Sequence, residues 1–359
     1  MKSKVYTIGQ ICSRFSSGKN ITAKSIGETG LYPVYGGNGL RGYTSTSNFK
    51  GECSIIGRQG AYCGNVKYID GEAYMSEHAI VAVTNNEHDN RYFSYKLGLL
   101  KLGRFSGQAA QPGLSVGMLS KLRMEMPSLS IQKKIASILS AYDSLIENNK
   151  KRIKLLEQMA ENLYKEWFVR FRFPGHETAE FEGGVPKGWR IEKLGNVANI
   201  RTGKCNREDA EEGGIFPLFD RSQEVKKSNT WLMDCEAIIV PGEGTSFTPR
   251  YYEGKFNLHQ RCYCVEPRQK GTGKFLFYML MFNKAYFLSV ATGATVPSLR
   301  QNNFTKMKFI MPSFDLCRQY DKHISLFFAE IDSLSKQVET LTHQRDLLLP
   351  RLMSGKLSI

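Results

Sequence analysis

The chain has 359 residues, 41% of them hydrophobic and 11% aromatic, with a formal net charge of +15 at pH 7; this is enough for two or three folded cores and is not a disordered composition. Its most apolar stretch, residues 275–282, is far too short to span a bilayer, and Met1-Lys2-Ser3-Lys4 leads into no apolar run, so no membrane contact and no secretion signal are expected. The expected location is therefore cytoplasmic, and the charge is evenly shared: 24 basic against 16 acidic residues up to Pro186 (+8), then 25 against 18 (+7). Two basic halves suggest two polyanion-binding faces, whereas a basic tail would suggest loose tethering.

In chain order, the first 125 or so residues are short Val/Ile/Tyr/Phe-rich runs broken by Gly, Asn and Ser, which predict strands and turns, with a helix over 90–102. Met126-Pro127 closes that part. Residues 131–167 then contain neither Pro nor Gly, and Ile135, Tyr142, Asn149, Leu156 and Leu163 recur every seven residues, as do Leu139, Ile146, Ile153 and Ala160. Sustained heptads predict coiled-coil packing, and a 37-residue helix spans roughly 55 Å at 1.5 Å per residue. Asn149 is either a register-setting polar position or a solvated kink. Residues 168–187, with Pro174, Gly175, Gly183, Gly184 and Pro186, form a connector. A second strand-rich part follows, with a helix predicted over 274–288, and Met311-Pro312 closes it. A second long helix carries two series, Ile324, Ile331, Val338 and Phe327, Leu334, Leu341, Leu348.

The halves are copies. Gln111-Pro112-Gly113-Leu114, Leu119-Ser120-Lys121-Leu122 and Met126-Pro127 recur 185 residues later as Val296-Pro297-Ser298-Leu299, Phe304-Thr305-Lys306-Met307 and Met311-Pro312. Ser17-Gly18-Lys19 faces Thr202-Gly203-Lys204, Ile55 to Gly60 faces Ile239 to Gly244, and His78 faces His259. Two like units, each followed by a long helix, are most simply arranged about a pseudo-two-fold axis with antiparallel helices. DNA readers of that symmetry place their reading elements about 34–36 Å apart or a multiple of it.

No catalytic grouping stands out. The Gly-Lys pairs lack the phosphate-loop pattern, and no G-x-S-x-G elbow, H-E-x-x-H, calcium loop or Asn-Pro-Pro-aromatic loop occurs. Glu253-Gly254-Lys255 with Asp234 is the best nuclease-like fragment, since an acid pair plus Lys can hold Mg²⁺, but the first copy has no counterpart. His78 and His259 are expected to brace strand ends. The eight cysteines are irregularly spaced, and the one close pair, Cys262 and Cys264, lacks the C-x-x-C spacing of a metal knuckle. No metal site is expected.

The first long helix ends Leu163-Tyr164-Lys165-Glu166-Trp167-Phe168-Val169-Arg170-Phe171-Arg172-Phe173-Pro174-Gly175-His176-Glu177. The chain ends Gln344-Arg345-Asp346-Leu347-Leu348-Leu349-Pro350-Arg351-Leu352-Met353-Ser354-Gly355-Lys356-Leu357. These segments resemble the central conserved region and the closing motif of the specificity subunits of Type I restriction-modification enzymes. The resemblance implies a mixed α/β (α+β) fold, with two similar globular DNA-recognition domains separated by two long antiparallel coiled-coil helices in a pseudo-two-fold internal repeat. The corresponding boundaries are 1–127 for the first recognition domain, 128–170 for the first spacer helix, 171–187 for the connector, 188–312 for the second recognition domain, and 313–359 for the second helix and tail.

It further implies an asymmetric bipartite double-stranded DNA target, methylated on an adenine in each part, two docked modification subunits, and restriction subunits in the full complex. S-adenosylmethionine, ATP and Mg would then sit on partner subunits, with no cofactor and no catalytic residue on this chain. Base reading calls for Arg, Lys, Asn or Gln at groove edges. The candidates are Lys19, Arg41, Arg58, Gln59, Arg104, Gln108 and Gln111 in the first copy. In the second they are Lys204, Arg207, Arg221, Lys226, Lys227, Arg250, Arg300 and Gln301. Tyr43, Tyr62 and Tyr251 are candidates for packing on sugars or a displaced base. Lys133, Lys134, Lys150, Lys151, Trp167 and Phe168 are candidates for partner docking. The competing readings are a self-contained Mg-dependent nuclease and a coiled-coil scaffold that never touches DNA.

Overall fold

The computed structural model describes residues 3–60, 62–106, 113–357 and 359. The chain divides into two compact units, residues 1–150 with 336–359 (unit 1) and residues 151–335 (unit 2). The divisions fall inside the two long helices, so each unit contains half of each.

In unit 1, strand β1 (Ser3–Thr7) leads through the short helix α1 (Ile8–Ile11) into β2 (Cys12–Ser17), then β3 (Tyr32–Gly36), β4 (Gly39–Thr44), β5 (Phe49–Gly57), β6 (Val66–Met75) and β7 (Ala79–Thr84). Helix α2 (Asn90–Leu99) begins where the Asp89 carboxylate accepts the Tyr92 N–H at 2.7 Å, an N-cap that satisfies one of the orphan amides. The short helix α3 (Val116–Leu119) and β8 (Arg123–Pro127) precede the long helix α4 (Leu129–Tyr164). Six strands form one sheet in the order β2-β7-β5-β6-β3-β4, and β1 pairs separately with β8.

Unit 2 repeats this plan. After the hairpin of β9 (Phe181–Glu182) and β10 (Val185–Pro186) come β11 (Arg190–Lys193), α5 (Leu194–Val197), β12 (Ala198–Thr202), β13 (Phe216–Phe219), β14 (Lys226–Ser228), β15 (Met233–Pro241), β16 (Arg250–Leu258) and β17 (Cys262–Pro267). Helices α6 (Gly273–Phe282), α7 (Lys284–Val290) and α8 (Gln301–Thr305), then β18 (Lys308–Met311), lead to the second long helix α9 (Phe314–Met353). The sheet order is β12-β17-β15-β16-β13-β14, with β11 paired to β18, strand for strand the order of unit 1. The parallel strand pair of each sheet is also repeated among the described residues, β3 on β6 and β13 on β16, as are the parallel bridges of Lys19 with Ser76 and Cys205 with His259. The helix expected over 274–288 is two, because it stops at Phe282 and Asn283, whose side-chain amide bonds the Met279 carbonyl, before α7 starts.

Each sheet buries both faces. In unit 1, Ile56, Ile80 and Ala82 pack with Tyr92, Phe93 and Leu97 of α2, with Ile135 and Leu139 of α4, and with Leu352 and Met353 of α9. Alternate residues of the same strands, Ile55, Met75 and Val81, point to the other face and form a second cluster with Tyr35. Unit 2 does likewise, with Ile238, Val240 and Val265 on the helix side and Ile239, Phe256 and Cys264 on the other. Each fully buried side chain of this size contributes about 1.5–3 kcal/mol of apolar burial.

The long helices run antiparallel within both units. In unit 1 Asp143 of α4 meets Arg345 of α9 at 2.9 Å, and Asn149 donates to Gln337 at 3.2 Å. In unit 2 Arg152 meets Glu330 at 2.6 Å, and the Tyr320 hydroxyl donates to the Ala160 carbonyl at 3.2 Å. Asn149 is buried and hydrogen-bonded across the seam, so it is a register position and not a solvated kink. Along the heptad seam Ile135, Leu139, Ile146, Asn149 and Ala160 are buried, and Tyr142, Ile153, Leu156 and Leu163 are half-buried.

Candidate nucleic-acid interface

Some of the sequence candidates meet at one end of each sheet. In unit 1 the turn after β2 is fastened to the end of β6 by the Lys19 N–H on the Met75 carbonyl at 2.9 Å. The turn after β5 is held by two backbone bonds, Arg58 N–H to the His78 carbonyl and Leu114 N–H to the Arg58 carbonyl, both 2.9 Å. Arg58 donates to Ser17 Oγ at 3.3 Å, and Gln59 Oε1 lies 3.0 Å from His78 Nδ1. Lys19, Arg58, Gln59 and His78 are thereby brought together. Lys19, Arg41, Gln59 and Arg104 are exposed, and Arg58 is half-buried. Gln108 and Gln111 lie outside the described residues.

The same scaffold recurs in unit 2. Lys204 N–H bonds the Leu258 carbonyl at 3.1 Å, Gly242 N–H the Arg261 carbonyl at 2.8 Å, and Leu299 N–H the Gly242 carbonyl at 2.8 Å. The turn that presents Arg58-Gln59 in unit 1 presents Gly242-Glu243 here, and Glu243 is paired with Arg221 (2.8 Å) and Arg261 (2.5 Å). A cavity of about 420 Å³ lined by Glu243, Gln260, Arg261, Ser298 and Arg300 lies at this end. Gln260 and Arg261 were not among the sequence candidates, and the structure corrects the pairing of His78 with His259: the Gly242 N–H bonds the Arg261 carbonyl as the Arg58 N–H bonds that of His78, so Arg261 is the counterpart of His78, while His259 takes the place of Ser76. Lys204, Arg207, Lys227, Arg300 and Gln301 are exposed.

His259 is buried and accepts the Arg261 N–H on Nδ1 at 3.1 Å, which braces the turn as expected. Burial and the neighbouring Arg221 guanidinium hold its pKa below the ordinary imidazole value.

Several candidates have structural partners instead. Arg250 lies over the Phe219 ring (5.1 Å) and donates to the backbone carbonyls of Ser222 (2.8 Å) and Asp220 (2.5 Å), so its donors face inward. Lys226 is half-buried against Asp220 at 2.5 Å. Burial pushes the Asp220 carboxyl up, but bonds from Lys226 and from the side chain and backbone of Ser222 outweigh it and hold it at about 2. Tyr251 donates to Glu236 (2.8 Å) and sits under the Lys274 ammonium, which reaches Asp321 at 3.3 Å, so it ties the sheet to the helices and is not free to pack on a sugar. Tyr43 is half-buried and Tyr62 is exposed.

The docking candidates divide as well. Lys133, Lys134, Lys150 and Lys151 are exposed on α4. Trp167 and Phe168 are only 6% and 8% exposed, which removes them as docking surface. They lie in a π-helical turn (Lys165–Val169) that extends α4 and turns both rings onto Tyr320, at 5.8 and 5.0 Å between centroids, with Phe275 4.8 Å from Phe168. An aromatic pair of this size is stabilised by burial among other rings, and the extra residue of the π-turn aims it at the core. In the nuclease-like fragment, Asp234 stands opposite Lys255 and Glu236 opposite Glu253 across the β15–β16 pair. Among the described residues, no three His, Cys, Asp or Glu side chains converge as a metal site requires. No helix among them is long and apolar enough to cross a membrane.

The model of the family described as "Type I restriction modification DNA specificity domain" matches twice, at residues 1–158 and 186–342. The specificity subunit of the Type I restriction enzyme EcoprrI from Escherichia coli is 38% identical over 149 residues, which cover 40% of this chain and 37% of that protein. The MjaIX specificity subunit of Methanocaldococcus jannaschii is 25% identical over 307 residues, covering 75% of this chain and 68% of the relative. The fold is that of the S subunit of a Type-I restriction-modification system from M. genitalium, with a TM-score of 0.71 at 19% identity, covering 98% of this chain and 96% of that one. With the family matched over both copies of its repeat, the chain belongs to the Type I restriction modification DNA specificity family.

Proposed function

We propose that the chain is the target-reading subunit of a Type I restriction-modification complex, binding an asymmetric bipartite duplex DNA sequence with one part read by each unit. One observation carries this reading. The same backbone turn, held by the same hydrogen bonds, offers Arg58 and Gln59 in one unit and Gly242 and Glu243 in the other. Identical scaffolds with different groups at the reading edge are what two unlike half-sites require, because base identity is read through donors and acceptors placed at groove edges. The surplus of cations supplies phosphate contacts and steep salt dependence.

In this reading the chain is non-catalytic and binds no cofactor. Two modification subunits supply S-adenosylmethionine chemistry for adenine methylation, and restriction subunits supply ATP- and Mg-dependent cleavage. The exposed lysines of α4 are offered to partners, and the complex works in the cytoplasm, where its DNA is. Co-expression with the modification subunit followed by genome-wide mapping of methylated adenine tests it. A bipartite motif with an unread spacer is expected, and replacing residues 1–127 with another recognition domain should change one half alone. Absence of any bipartite motif would refute the reading.

A further inference from the structure

The two sheet ends differ at a second place, beyond the turn of Arg58 and Gln59. Unit 1 has an opening of about 710 Å³ whose polar lining includes Lys67, Lys101 and Arg104 and whose apolar lining includes Ile55, Val66 and Leu102. Glycines make up much of the rest. At Gly64, whose φ is +88°, an added Cβ would lie 2.1 Å from the Gly103 nitrogen, so backbone meets backbone and the wall stays thin. Among the described residues, no acidic side chain lines the opening. Lys67 lies over the Tyr35 ring at 5.4 Å and Arg104 over Phe105 at 4.7 Å, and among the described residues neither they nor Lys101 is paired with a carboxylate. Lys101 is held at φ 48°, a left-handed conformation that non-glycine residues rarely adopt and that concentrates at binding sites.

Unit 2 fills the matching place with its own side chains. Lys67 stands opposite Ile55, and Arg250 stands opposite the equivalent Ile239, so Arg250 takes the position of Lys67. It folds over Phe219, the counterpart of Tyr35, onto the carbonyls of Asp220 and Ser222, the counterparts of Gly36 and Asn38. Its neighbours Lys226 and Arg221 are neutralised by Asp220 and Glu243.

We propose that the opening in unit 1 is a nucleotide-binding pocket that unit 2 lacks, with the phosphate held by Lys67, Lys101 and Arg104 and the rest of the nucleotide in the glycine-walled space beside the half-buried Val66. Three uncompensated cations in a concave, glycine-lined site attract an anion. The volume is far more than a phosphate alone fills and lies within the range of about 300–1,000 Å³ typical of small-molecule sites. The nucleotide has two sources, one unstacked from the bound DNA strand or a free mononucleotide. The first source rests on the DNA-reading function proposed above.

The test uses the full chain, a pocket variant (Lys67→Gln, Lys101→Gln, Arg104→Gln) and a charge-matched control on the exposed Lys306, Lys308 and Lys322 (each →Gln), with thermal melts to establish that all three fold. One arm titrates AMP by calorimetry. The other follows 2-aminopurine fluorescence in duplexes that carry it at successive positions of the mapped first half-site. AMP binding that weakens at least tenfold in the pocket variant alone assigns the free nucleotide. A fluorescence rise on binding that disappears in the pocket variant alone assigns the DNA strand. Either result supports the pocket. It is overturned if neither signal occurs with the unaltered chain, or if both persist in the pocket variant. Failure of the unaltered chain to bind any duplex would strike the DNA-reading function instead, and the AMP arm would still decide the pocket.

Discussion

Asp143 of α4 and Arg345 of α9, 202 residues apart in the chain, meet at 2.9 Å with only about a quarter of each side chain exposed. The same carboxylate accepts the Tyr95 hydroxyl from α2 and lies 3.7 Å from Arg91. One acid therefore fixes the register of the two long helices and fastens the helix of the recognition sheet to them. Removing it takes the acceptor from the Tyr95 hydroxyl and a carboxylate from Arg91 and from Arg345, which keeps only Asp346 at 2.8 Å, whereas removing Arg345 leaves Asp143 with both Tyr95 and Arg91. Asp143→Ala should therefore destabilise by about 1–3 kcal/mol and Arg345→Ala by less. The double variant should fall short of the sum, because the two residues share one interaction. Denaturant unfolding of the four proteins checks this, and additivity would argue against the coupling.

Trp167 offers a sharper contrast. Buried among Phe168, Tyr320 and His323, it should cost about 3–5 kcal/mol when replaced by Ala. Lys133→Ala with Lys134→Ala should leave unfolding unchanged and weaken co-purification of the modification subunit. Unfolding curves and pull-downs separate a core residue from a surface one.

His259 makes stability depend on pH. Burial and Arg221 depress its pKa in the folded state, so unfolded chains bind the proton more readily. The stabilisation is complete above the unfolded value of about 6.5 and is lost as the pH falls through that value toward the folded one. Melting temperatures should accordingly drop between pH 7.5 and 5.5. His259→Gln should flatten that dependence, since a glutamine does not titrate. His88 is depressed in the same direction by burial, so some slope will remain.

At the reading edge, Arg58→Ala should weaken duplex binding by about tenfold to a hundredfold. It should relax the first half of the methylation motif while leaving the second intact. Equal relaxation of both halves would show that the two units do not read separately.

The duplication, the two basic halves, the Met-Pro steps before the long helices and the turns carrying Lys19 and Lys204 were all legible in the linear chain. They rest on local spacing and on comparison of one half with the other, and no tertiary information is needed to see them. Heptad periodicity likewise placed α4 and α9 within a few residues. What a side chain faces was not legible, because exposure depends on partners distant in sequence. Trp167 and Phe168 read as surface until Tyr320 and Phe275 were brought against them. Arg250 and Lys226 read as DNA contacts until Asp220 and the Ser222 carbonyl were seen to hold them. Lys67 and Lys101, scattered and unremarkable in the sequence, become a cation cluster only when β6 and the end of α2 close on the same opening. The sequence by itself determined the repeat, the charge and the order of elements, since these are properties of neighbouring residues. Only the tertiary structure decided which cations are neutralised and which remain open to a ligand, since pairing is a matter of distance in space.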